Sequence, residues 1–290
     1  RACWALGAIA SRTAAPGPRA LAGELFRAAL PAVSSFTSPR AWAYVSLGID
    51  EYLQGNAGLA PVEAMRAGLA EKLLDVFRRA SRPDWPWFEE TATYANARLP
   101  QGLLTSGAAL ENEAMIAAGL TSLEWLWRVQ CASDGCFEPI GSDGFYRRGG
   151  VKAKFDQQPV EACAMISACL VAERVTTDPS WRLRARRVFG WFLGHNHLRR
   201  ALYDPVSGGC RDGLHADRLN ENQGAESTIS FLLALSEMRA VDRARRAGAS
   251  TPRRRTRSFS GDSRVLATAL PSTSRRLPET TRAVTSRSVD

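Results

Sequence analysis

Lysine is almost missing from this chain: of 38 basic side chains, only Lys72, Lys152 and Lys154 are lysines and the rest are arginines. We read that bias as G+C-rich coding rather than selection for phosphate contacts. Metal-binding patterns are missing too. The six cysteines (Cys3, Cys131, Cys136, Cys163, Cys169, Cys210) form no CxxC pair and no ligand-spaced set with His195, His197 and His215. Neither a metal nor a cofactor is therefore expected. Cys163 and Cys169 sit in an apolar run and read as small core residues, which fits a reducing cytoplasm. No apolar stretch approaches the roughly 20 residues of a membrane span, and no signal peptide is recognisable. Sustained strand alternation is lacking, as are a Gly-rich phosphate loop, GxSxG and HExxH.

The net charge of +9 suggests a nucleic-acid or membrane partner until its position is considered. From residue 243 to the end stand twelve arginines and three acids, which account for all of it. Residues 1–242 are formally neutral and offer no basic face, so no nucleic acid is expected to bind them. Beyond Thr251 the composition is Ser, Thr, Arg and Pro, which cannot bury a core. The expected organisation is a folded domain over 1–242 and a basic, disordered tail over 243–290.

What the chain has is helices. Four segments share one design, a polar or Pro-marked start followed by a run of small and apolar residues. They begin near Ser38, Asn96, Asp156 and Asn222, about sixty residues apart. Ser38, Asp156 and Asn222 are natural helix caps, and Pro39 suits a first turn. Between them lie amphipathic, more charged helices over 61–80, 112–130 and 178–193. Alternating small-residue and charged helices imply hairpins arranged as a solenoid or a ring. Common helical solenoids repeat every 33–47 residues or so. A longer spacing with aromatic, Gly-rich connectors fits an all-α (α/α) toroid whose inner helices begin at a functional rim. Four inner helices leave a six-hairpin ring two hairpins short, and the chain opens at Arg1 inside a helical pattern. We therefore expect an N-terminally truncated toroid.

Candidate chemistry clusters at three places on that rim, near residues 85–98, 147–161 and 204–227. In the first, Trp85, Trp87, Phe88 and Tyr94 offer faces for a sugar ring, Glu89 and Glu90 offer carboxylates, and Asn96 and Arg98 offer donors. In the second, Arg147 precedes Asp156, Gln157, Gln158 and Glu161. In the third, Asp212 and His215 precede Asn222, Gln223 and Glu226. Gln158 and Glu161 are three apart, as are Gln223 and Glu226, so each amide and acid share a first-turn face. A capping habit accounts for one Glu per helix. It does not account for the crowd of amides and acids beside it, which suits a pocket bonding many hydroxyls.

The strings Trp85-Pro-Trp-Phe-Glu-Glu-Thr-Ala-Thr-Tyr-Ala-Asn-Ala-Arg, Tyr146-Arg-Arg-Gly-Gly with Phe155-Asp-Gln-Gln-Pro-Val-Glu, Tyr203-Asp-Pro-Val-Ser-Gly-Gly-Cys-Arg-Asp-Gly-Leu-His and Asn220-Glu-Asn-Gln-Gly-Ala-Glu are specific. Together they resemble a bacterial domain of the six-hairpin glycosidase superfamily that accompanies family-4-type glycosyltransferases. The resemblance implies an (α/α)6 toroid, a sugar or oligosaccharide ligand and a glycosyltransferase partner. It carries over Trp87, Phe88, Glu89, Tyr94, Asn96, Arg98, Arg147, Asp156, Gln157, Gln158, Glu161, Asp204, Asp212, His215, Asn222, Gln223 and Glu226. One departure stands out. The relatives have an acid just before the Asn of the first motif, where this chain has Ala95. A transferase's own nucleotide-sugar fold is excluded here by the lack of strands.

Two functions follow as expectations. The first is a domain that binds, and by inverting hydrolysis cleaves, a glycan such as a mannoside. Its acid and base would come from Glu89 or Glu90 opposite Asp156, Glu161 or Glu226, roughly 6.5–9.5 Å apart. The second is a non-catalytic accessory domain presenting an acceptor glycan to a glycosyltransferase.

Overall fold

Proline marks the helix starts. Pro16, Pro39, Pro61 and Pro159 all stand in first turns, where a missing N–H costs nothing. The computed structural model describes residues 1–250, of which Arg1–Gly248 form one compact unit. Among the described residues there are nine α-helices: α1 (Ala2–Arg12), α2 (Pro16–Val33), α3 (Pro39–Gly55), α4 (Ala60–Ala80), α5 (Arg98–Ala109), α6 (Glu113–Val129), α7 (Pro159–Thr176), α8 (Ser180–Phe192) and α9 (Ala225–Ser250). None is long and apolar enough to cross a membrane. The expected tail lies mostly outside the described residues, although α9 continues past residue 243.

The helices pair in order as α1/α2, α3/α4, α5/α6 and α7/α8, and the odd-numbered members pack on one another as an inner row. α9 lies against α8 where Phe231 meets Phe189 and Phe192, and against α7 where Ser167 bonds Glu237 at 2.9 Å. α7 is buried along almost its whole length, as an inner helix between neighbours should be. The expected inner helices are α3, α5, α7 and α9. α1 is an inner helix that the sixty-residue spacing passed over, because the connectors around α2 are only a few residues long. Its packing on α3 depends on two glycines. A Cβ on Gly7 would stand 2.1 Å from the Gly48 carbonyl oxygen, and one on Gly48 would stand 2.7 Å from that of Cys3.

The long connectors all precede inner helices and gather on one rim. Two helix starts differ from expectation. α5 begins at Arg98 and α7 at Pro159, so both start two or three residues later than expected, and Asp156 does not cap α7. Ser38 does precede α3, but its side chain makes no capping bond. At the opposite mouth, where inner helices end, a cavity of about 1060 Å³ is bordered by Asp50, Glu51, Gln101, Arg174 and Glu237.

Candidate functional site

Short strands stitch the rim together. β1 (Thr91–Ala92) pairs antiparallel with β2 (Tyr146–Arg147), and β3 (Gly213–Leu214) with β4 (Leu219–Asn220). Gln157 and Leu214 exchange backbone hydrogen bonds of 3.0 and 2.9 Å just before α7 begins. In an antiparallel ladder the next pair outward is then Asp156 and His215. Their side chains meet as that register requires, with His215 Nδ1 against the Asp156 carboxylate. His197 Nε2 donates to the His215 carbonyl at 2.9 Å and steadies the loop from behind.

The same hairpin caps α9. The Asp212 carboxylate accepts from the Gly224 N–H at 2.8 Å and from the Asn222 amide. Burial pushes the Asp212 carboxyl up, but hydrogen bonds from Ser227, Gly224 and Asn222 outweigh it, and the group lies below the usual carboxylate range. Asn222, expected as the cap itself, serves instead as one of the donors that hold Asp212. Gln223 donates to Asp204 at 3.0 Å and accepts from Ser207 at 2.6 Å, which makes it a loop brace.

Where α7 and α9 begin, an open pocket of about 420 Å³ is bordered by Asp156, Gln158, Asp212, His215, Asn220 and Glu226, with Val160 and Ser227 in its wall. Glu226 is exposed and ion-paired with Arg1. Five of the expected site residues therefore converge: Asp156, Gln158, Asp212, His215 and Glu226.

The first cluster is organised differently. Trp85, Trp87 and Phe88 are buried to within 2% of completely, against Trp125, Tyr146 and Phe77, and cannot stack on a sugar. They plug the space under the rim because the β1–β2 pairing folds their connector over α6. Asn96, Arg98, Gln157 and Glu161 are buried too, and each is engaged by protein. Gln157 accepts from Trp191 Nε1 at 2.9 Å. Arg98 bonds Gln101 at 2.6 Å and lies over the Trp4 ring. Glu161 accepts from the Ala95 N–H and, at 3.0 Å, from the Asn96 amide, so it holds the chain in place before α5. Burial pushes its carboxyl up to about 7, against the pull of the Asn96 and Ala95 donors and Arg40. Glu90 and Arg147 are exposed and lie outside the pocket wall, Glu90 at 3.4 Å from Arg148. Tyr94 keeps a half-exposed face above Arg40.

Arg40 is the rim residue that sequence reasoning missed. It is buried at the start of α3 and bonds Glu89 at 2.5 Å, the Tyr94 carbonyl at 2.7 Å and Asn96 at 3.3 Å. Its position just after Pro39, level with the other inner-helix starts, was the available signal. Ser227, also in the pocket wall, was passed over as well. Among the described residues no group of three or more His, Cys, Asp or Glu is placed to hold a metal ion, and all six cysteines are free.

This architecture is an all-α toroid of helical hairpins. No protein-family model and no curated protein sequence matches the chain. Two solved structures share the fold. One is a GH76 α-mannanase of Bacteroides thetaiotaomicron, with a TM-score of 0.59 over 83% of this chain and 69% of that one, at 10% identity. The other is an unsaturated glucuronyl hydrolase specific for heparin, with a TM-score of 0.56 over 83% of this chain and 86% of that one, also at 10% identity. Both are (α/α)6 toroids. The likeness bears out the expected all-α toroid and speaks to the fold alone.

Proposed function

We propose that this domain binds a glycan in the pocket where α7 and α9 begin. The observation that carries the reading is the convergence there of the Asp156–His215 pair with Gln158, Asn220 and Glu226 in one open pocket. Carboxylates accept from sugar hydroxyls, and the two amides both donate and accept. A pocket of about 420 Å³ has room for one or two sugar rings at its open mouth. The sugar-cleaving activities of the two structural neighbours support a carbohydrate ligand, a mannoside among them. Asp156 and Glu226 are the carboxylates that reach solvent with fewest protein hydrogen bonds, so they are the acid and base of any hydrolysis.

A second reading rests on Ala95. Its side chain is buried with Tyr44 and Val160, so no acid enters from the first rim where the resemblance puts one. This favours a non-catalytic domain that presents an acceptor glycan to a glycosyltransferase. Calorimetry beside a reducing-sugar assay separates the two. Wild-type binding to manno-oligosaccharides should weaken about tenfold in Asp156→Asn and in Glu226→Gln, the worth of one or two hydrogen bonds to a charged group. Release of reducing ends that either variant abolishes selects hydrolysis, whereas binding without release selects presentation. Undiminished affinity in both variants would remove the pocket from the mechanism.

A further inference from the structure

We infer that the pocket selects uncharged glycans and rejects sugars bearing carboxylate or sulfate groups. The inference rests on the reading of this pocket as a glycan site and adds its charge class. Three carboxylates stand in the wall, those of Asp156, Asp212 and Glu226, and no lysine or arginine does. The arginines around it are each paired with an acid. Arg1, the cation at the edge, is ion-paired with Glu226. Arg211 and Arg200 both turn to Glu221, at 2.5 and 3.3 Å, and Arg218 bonds Asp217 at 3.1 Å.

Helix N-termini are the other common anion sites, and two open onto this pocket. At α7 the first position is Pro159, which has no N–H to offer. At α9 the Gly224 N–H is taken by the Asp212 carboxylate, and the donors around Asp212 keep it ionised. An incoming carboxylate would therefore meet like charge with no lysine or arginine to compensate it, only the neutral donors of Gln158 and Asn220. A hydroxyl meets acceptors that need a proton. Asp156, held by His215 through one oxygen, keeps the other free for a hydroxyl hydrogen.

The test is a glycan array holding uncharged, uronate-bearing and sulfated oligosaccharides, followed by calorimetry with mannotriose, triacetylchitotriose and trigalacturonate. Bound glycans should be uncharged, with trigalacturonate at least about tenfold weaker than the best uncharged trisaccharide, as like-charge juxtaposition demands. The double variant Asp156→Asn, Glu226→Gln should narrow that ratio, while circular dichroism confirms that it folds. Trigalacturonate binding as tightly as the uncharged sugars overturns the charge class and leaves the pocket as a glycan site. Failure of every glycan to bind overturns the glycan reading itself, and the charge class with it.

Discussion

Trp87 shows how far a residue's chemistry depends on what covers it. In the string Trp85-Pro-Trp-Phe-Glu-Glu it is indistinguishable from a sugar platform, since stacking faces and core plugs are built from the same rings. Only its contact with Trp125, some forty residues onward, decides the matter, and that pairing is invisible in local sequence. The paired spacings mislead in the same way. Glu161 and Glu226 both stand in first turns three residues after a glutamine, yet Glu161 is buried against the chain before α5 while Glu226 is exposed beside Arg1. Ring neighbours decide which acid serves structure and which faces solvent. Trp87 also leaves its indole N–H without a protein acceptor. Trp87→Ala should cost about 3–5 kcal/mol in chemical denaturation, whereas Trp87→Phe should cost clearly less because it also removes a buried donor. Equal losses in the two variants would mean that the N–H has a partner after all.

At the scale of elements, the sequence is read most easily where length and period agree. α3, α5 and α7 follow from small residues behind a polar or proline start, and α4, α6 and α8 from their amphipathic stripes. α1 was harder, since eleven residues with few charges carry no sign of which face is covered. The sign lies in its glycine and in the glycine it meets. Gly7 and Gly48 let two backbones approach to a distance that no side chain permits. Ordinary propensity favours alanine over glycine inside a helix by roughly 1 kcal/mol. Gly48→Ala should nonetheless destabilise the protein, because the new methyl meets the Cys3 backbone, which cannot swing aside as a side chain would. Gly68→Ala in α4, where the added methyl meets nothing within 4 Å, should show the ordinary gain. Thermal melts of the two variants should therefore move in opposite directions, and a rise in both would mean that α1 is not held against α3.

For the molecule as a whole, the inner row gathers carboxylates at both ends, and burial governs how they titrate. At the mouth where inner helices end, Asp50, Glu51 and Glu237 are all pushed above their usual range by desolvation, in spite of Gln54, Arg12 and Ser167 beside them. At the other rim Glu161 is pushed up to about 7 for the same reason. An acid whose pKa is raised on folding binds more protons in the folded state. Its contribution to stability is complete below the unfolded value near 4.5 and is lost as pH climbs through the folded value. The exposed or capping acids Asp178, Asp204, Asp212 and Glu221 are lowered and act in the opposite sense, losing their contribution only as pH falls below the ordinary carboxylate range. The two sets together place maximal stability in mildly acidic solution, near pH 5, with a decline towards pH 8. The shift at Glu161 alone corresponds to something on the order of 3 kcal/mol across that interval. Glu161→Gln should lower the melting temperature at pH 5 by removing an acceptor from Ala95 and Asn96, yet flatten the fall between pH 5 and pH 8. The slope is the diagnostic reading, because any damaged variant melts earlier but only loss of the titrating group changes how stability follows pH. An unchanged slope would show that Glu161 is ionised in the folded protein throughout that range, stabilised by its three N–H donors and Arg40 against the cost of burial.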